Sequence, residues 1–244
     1  MIIKLLLKSF RTDIKFIARD PMLLLASLAP LFLILFLKFV FPLIADLIYK
    51  KFVFDLYSYY SIVAITMVCV IPMLFGMVYA FILLDENDAQ ILQVISVTPA
   101  GRLTFLYMRM LVPLFLSFIM ILLTIILTQP VPSEGWLRTL FITSLLALQA
   151  PFTFLFIGSF AGNKVEGLAF SKLYGVFLIA VPLGLILHHP WHYFAFFSPL
   201  YWISWAWVTS YPGESLLFGA ISMAITSGSI LIFLRYFLKK HRGL

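Results

Sequence analysis

Few residue groupings in this chain could do chemistry, and each can be weighed from its neighbours. His188, His189 and His192 fall within five residues, a density that raises the question of a metal. Pro190 breaks any helix that would set their imidazoles on one face, and Glu214 is the closest acid, so no metal ligands are expected here. The single cysteine, Cys69, sits inside an apolar run and reads as a small hydrophobe. Lys38, Arg109 and Lys172 border apolar runs and are expected to reach an aqueous interface by snorkelling. The chain lacks H-E-x-x-H, G-x-S-x-G and G-x-x-x-x-G-K-[ST]. No catalytic residue is therefore expected, and any nucleotide must be bound by a partner.

One segment combines charge, capping signals and a short apolar face. After the apolar run that ends at Leu84 the chain reads Asp85-Glu86-Asn87-Asp88-Ala89-Gln90, then Ile91 to Val97, then Thr98-Pro99-Ala100-Gly101-Arg102. Asn87 followed by Gln90 fits a capping box, and Asp85, Glu86 and Asp88 would suit the positive end of a helix dipole. Pro99 and Gly101 stop the helix. Ile91, Val94 and Ile95 share a face with Leu84. The segment reads as a short surface helix over 85–98, either a docking knob for another protein or a plain connector.

The elements that hold these residues follow from hydropathy. The chain is 63% hydrophobic and 11% charged, with mean hydropathy +1.09, where soluble domains average about 45–50% apolar and 25% charged. Six apolar stretches, near 22–44, 56–84, 103–128, 137–161, 168–187 and 214–235, have the length of membrane helices. They leave no room for a soluble domain, so 1–244 is read as a single transmembrane domain. Following the chain across six spans assigns thirteen Lys and Arg to one side and four (Lys38, Lys50, Lys51, Arg138) to the other, together the 17 in the sequence. The positive-inside rule then predicts a multi-pass plasma-membrane protein, the inner membrane in a bacterium, with both termini and the 85–98 helix in the cytoplasm. The net charge of +7 matches anionic lipid, and no nucleic-acid module is present.

Two further elements frame the spans. Ile3, Leu7, Phe10, Ile14 and Ile17 recur at helical spacing, while Lys4, Lys8, Arg11, Lys15 and Arg19 share one arc, predicting an uncleaved interfacial helix over 1–20. Asp20-Pro21 then turns the chain into the first span. Residues 188–213 carry no Lys or Arg and four of the five tryptophans, and their apolar middle, Leu200 to Val208, is too short to cross a bilayer. This predicts an outer re-entrant aromatic hairpin, or a simple aromatic belt. Gly158 and Gly162, with Ala220, Ala224 and Gly228, predict close packing of the fourth and sixth spans through small faces.

The order of these elements resembles the membrane subunits of type-2 ABC exporters. The residues that carry the likeness are Leu83-Leu84-Asp85-Glu86, the helix Ile91 to Val97, Thr98-Pro99, Tyr107-x-Arg109, and Ser198-Pro199-Leu200-Tyr201-Trp202. Within that group the chain is most similar to short permeases of the fluoroquinolone-export type. The resemblance implies an all-α membrane protein in which two permease subunits sit on two ABC ATPase subunits, with ATP and Mg bound by the ATPase. It implies that 85–98 is the coupling helix and 1–20 the connecting helix. Ile91, Leu92 and Ile95 would then dock on the ATPase, with Asp85, Glu86 and Asp88 meeting basic side chains there. The activity implied is export of a hydrophobic or amphipathic compound by alternating access. Export of lipid, polysaccharide or peptide, protein assembly, and a self-sufficient channel or carrier are the other readings. Substrate-lining residues are not assigned by sequence.

Overall fold

A computed structural model of the chain describes residues 2–90, 101–129, 135–186, 193 and 195–240. Among these it contains helices and no strand, and six helical stretches are long and apolar enough to cross a membrane. Helix α1 (Ile2–Arg19) ends where Asp20 takes extended backbone angles. The Asp20 carboxylate accepts the Met22 and Leu23 N–H groups at 2.9 and 3.3 Å, capping α2 (Pro21–Leu35) with proline in its first turn.

A π-helical turn at Phe36–Val40 joins α2 to α3 (Phe41–Phe52) just ahead of Pro42. The resulting first span of 32 residues would extend about 48 Å if straight, well beyond a hydrocarbon core of about 30 Å.

The remaining elements are α4 (Tyr60–Asp88), α5 (Gly101–Thr128), α6 (Trp136–Ala147), α7 (Gln149–Phe160), α8 (Lys164–Ile186), α9 (Pro199–Val208) and α10 (Pro212–Lys240). Helices α6 and α7 are one span interrupted at Leu148, three residues before Pro151, whose missing N–H releases the Ala147 carbonyl.

Burial divides the spans into two groups. The second and fourth are 72% and 78% buried inside the chain, and the others 17–28%. The centre of the molecule is therefore the contact between α4 and α7, and Gly76 permits it. A Cβ at Gly76 would lie 2.5 Å from the Ala150 carbonyl oxygen and 2.7 Å from Thr153 Cβ, so two backbones meet there with no side chain between them. Val78 to Leu84 and Phe152 to Ile157 supply most of the surrounding core.

The small-residue expectation is corrected in its details. The fourth and sixth spans do meet, through Gln149 Nε2 donating to Thr226 Oγ1 at 2.8 Å and Ser159 Oγ donating to the Phe233 carbonyl at 3.2 Å. The α10 face that packs inward carries Ser215, Gly219, Ser222 and Thr226. Ala220 and Ala224 are exposed and Gly228 faces open space. Helix α7 stops at Phe160, so Gly162 is no longer helical, and a Cβ at Gly158 would lie 3.0 Å from Leu83 of α4 and 3.9 Å from Phe237 of α10. Hydroxyls that can bond a carbonyl outcompete bare methyl groups for the buried face.

The acidic segment is corrected as well. Asp85, Glu86, Asn87 and Asp88 form the last turn of α4 rather than the first turn of a new helix. The Ala89 N–H donates to the Asp85 carbonyl at 3.0 Å and Gln90 turns to φ +57°, which ends the helix. Residues 91–98, with Ile91, Leu92 and Ile95, lie outside the described residues, as do His188, His189 and His192.

Candidate functional site: buried charges at one end of the bundle

Acids at the end of a helix oppose its dipole unless cations answer them, and here two cations do. Arg109, one turn inside the apolar part of α5, is 6% exposed. Its Nη1 donates to Asp13 Oδ1 of α1 at 2.5 Å, and its Nη2 donates to Glu86 Oε1 of α4. One guanidinium thus fastens three helices that are remote in sequence. Its planar fork suits this bridging, which a lysine ammonium would serve poorly. The Phe105 ring lies 5.4 Å from the guanidinium carbon and covers it. Arg109 is therefore enclosed by the protein. Two carboxylates hold it inside.

A second ionic group lies at the same end. Lys164, which opens α8, is 2.9 Å from Asp20 Oδ2 and 2.7 Å from Asp85 Oδ2. It ties the α1–α2 junction to the end of α4 and the start of α8. Its ammonium, acting mainly through the hydrogen bond, holds the Asp20 carboxyl below the usual carboxylate range. Lys240 of α10 donates to the Ser159 carbonyl at the end of α7, at 3.1 Å, which places the C-terminal helix end on this face too.

Of the residues predicted to meet a partner, Asp85 and Glu86 are spoken for within the chain, while Asp88 is exposed. Sequence reasoning missed Asp13, Asp20 and Tyr79. A signal for Asp13 existed: at about 100° per residue, it falls on the side of α1 away from the Lys4, Lys8, Arg11, Lys15 and Arg19 arc and beside the apolar stripe. A lone acid at the edge of the buried face asks for a buried cation.

The opposite end is built from aromatics and carbonyls. Arg138 of α6 donates through Nη2 to the carbonyls of Ala206 at 3.2 Å, Trp207 at 3.1 Å and Thr209, closing the C-terminus of α9. Helix α9, ten residues long, is inserted among α4, α6, α8 and α10 with Leu200, Ile203 and Ala206 fully buried. Ser222 Oγ donates to the Pro199 carbonyl and Ser215 Oγ to that of Ala206, at 3.0 and 2.7 Å. Phe196, Tyr201, Trp202 and Trp205 stack around it.

Six apolar helices with ionic groups sunk into one end, and a half-length helix capped at the other, define a multi-pass integral membrane protein. The chain belongs to the family described as fluoroquinolones export permease protein Rv2686c-like, whose model matches residues 13–235. It is 28% identical to two proteins of Mycobacterium tuberculosis, the fluoroquinolones export permease protein Rv2686c of strain ATCC 25618 / H37Rv and MT2760 of strain CDC 1551 / Oshkosh. Each alignment covers 95% of this chain and 93% of the relative. No solved structure matches the chain. The likeness to short export permeases read from the sequence is thereby borne out. The match includes Asp13, Glu86 and Arg109, and so takes in all three helices joined by the ionic group.

Proposed function

We propose that this chain is the membrane subunit of an ATP-driven exporter that moves a hydrophobic or amphipathic compound, of the fluoroquinolone kind, out of the cytoplasm. The observation that carries this reading is the near full-length match to relatives named as fluoroquinolones export permeases. In this reading ATP and its Mg are bound by a separate ATPase subunit, in keeping with a sequence that carries no P-loop. The ionic end and both termini face the cytoplasm in this reading, which the Lys and Arg bias supports. A second permease subunit, identical or related, completes the assembly.

The geometry of the ionic end supports a coupling role for the 85–98 segment. Its first residues are the end of α4, and α5 begins just beyond it. Both helices and α1 are held by Arg109. A force applied between Ala89 and Gly101 is therefore shared by three helices at once, without first having to deform each of them. In this reading Ile91, Leu92 and Ile95 dock on the ATPase, and Asp88, exposed at the end of α4, is the acid best placed to meet a basic side chain. Asp85 and Glu86 serve the same contact indirectly, by fixing where α4 ends. Burial of each aliphatic side chain would contribute about 1.5–3 kcal/mol.

The test is transport in inverted vesicles containing the chain and the ATPase with which it purifies. A fluorescent fluoroquinolone should accumulate on addition of ATP. Ile91→Asp and Ile95→Asp should leave the chain folded in the membrane and abolish that accumulation. Uptake that needs no ATP, or wild-type transport by both variants, would overturn the assignment.

A further inference from the structure

The charges around Arg109 do not balance. Asp13 is 1% exposed and the Glu86 side chain 15%, and both bind the same guanidinium. Among the described residues, the titratable or charged groups around them are Asp13 from α1, Tyr79, Asp85 and Glu86 from α4, Arg109 from α5 and Lys164 from α8. Lys164 is engaged by Asp20 and Asp85, so among the described residues Arg109 is the one cation paired with Asp13 or Glu86. Among the described residues, two carboxylates against one guanidinium leave one negative charge away from water without compensation.

Hydrogen bonding points to the same deficit. Asp13 Oδ2, Glu86 Oε2 and the Tyr79 hydroxyl are buried without a partner among the described residues. Tyr79 is 1% exposed and lies two turns before Glu86 on the same face of α4. A metal ion is a poor candidate for the missing charge, because no group of three or more His, Cys, Asp or Glu able to hold one occurs among the described residues.

We propose that this cluster is a proton-binding site: the Glu86 carboxyl carries one proton while Asp13 keeps the ion pair with Arg109, and the proton is released to water when α1 lifts away. On release the O–H bond of the carboxyl breaks, the electron pair stays on Glu86, and the proton passes to water or buffer. Redocking takes one proton back. The docked state thus binds one more proton than the lifted state, so acid favours docking and docking weakens as pH rises. This inference stands independently of the substrate and of ATP.

Infrared spectroscopy of the purified full chain in an ester-free detergent reads the proton directly. At neutral pH the wild type should show the carbonyl stretch of about one protonated carboxylic acid. Background is limited, because Asp55, Asp88, Glu166 and Glu214 are exposed at or beyond the ends of the spans. Glu86→Gln should lose the band. Asp13→Asn should lose it as well, since Arg109 then balances an ionised Glu86. Arg109→Gln should roughly double it. A wild type with no such band, a band untouched by Glu86→Gln, or a band removed by sodium at fixed pH would each overturn the proposal. The wild-type spectrum decides the matter even if a variant fails to fold.

Discussion

Each end of this bundle holds an arginine against a helix terminus, and the two are held by opposite chemistry. Arg109 is gripped by two side-chain carboxylates from different helices. Arg138 is gripped by three backbone carbonyls at the end of a single helix. Carboxylates can gain protons, rotate away and re-form their bonds, while carbonyls are fixed by the backbone that carries them. The first arrangement suits a junction between parts that move relative to one another. The second suits a plug that stays in place.

The comparison is broken most easily at Arg109. Arg109→Met should cost about 3–5 kcal/mol, because it removes the cation that pairs the buried Asp13 carboxylate and the donor that Glu86 accepts from. Denaturant titration in mixed micelles should show this as a large loss of folded chain. Arg109→Lys should restore only part of it, since an ammonium lacks the fork that reaches both acids. If Arg138→Ala proved as costly, the contrast between the ends would collapse.

At the aromatic end the largest expected effect is steric. A methyl at Gly184 of α8 would overlap the Tyr201 ring of α9, so Gly184→Ala should destabilise by about 1–3 kcal/mol. Gly228→Ala, which faces open space, is the control and should leave the melting temperature unchanged. Next comes Arg138→Ala, which removes a charged donor from the end of α9 and should cost about 1–2 kcal/mol. Tryptophan emission should report it locally, because Trp205 and Trp207 lie in the helix that Arg138 closes.

The smallest effect belongs to Lys164, whose pair with Asp20 is about a third exposed and worth under about 1 kcal/mol. Asp20 titrates below its unfolded value of about 3.9. Its contribution is therefore fully present above that pH and is lost as pH falls through the lowered folded value. Lys164→Met should therefore lower stability near neutral pH by under about 1 kcal/mol and by less at pH 3, flattening the acid limb, as measured by urea midpoints across pH 3 to 7.

Much of the fold was legible because bilayer crossing is written in hydropathy. The predicted stretches 56–84 and 103–128 match the observed spans Tyr57–Asp88 and Leu103–Thr128, apart from one residue at the start and four at the end of the first. The short apolar run Leu200 to Val208 is the half-length helix α9. Which spans are central was not legible, since all six are apolar and burial depends on neighbours such as Gly76 against Ala150. The site was harder still. Asp85 and Glu86 stood out as charges, but their partners lie on other helices, as does Asp13, 96 residues from Arg109. Local capping signals therefore read as the start of a helix where tertiary ion pairs had extended the previous one.

The order of these charges along the chain bears on how the protein is made. Asp13, Asp20, Asp85 and Glu86 all precede the cations that bind them, Arg109 and Lys164. A nascent chain that has made only its first two spans holds four carboxylates and neither of their partners. Those acids can remain in water at the ends of their helices, so insertion of the spans does not require dehydrating an unpaired charge. Arg109 follows Glu86 by 23 residues, an interval of about 1–5 s at ordinary rates of synthesis. Docking of α1 must wait for it. The first helix made is thus secured only once the third span is made, and a chain truncated after the second span should leave α1 open to protease.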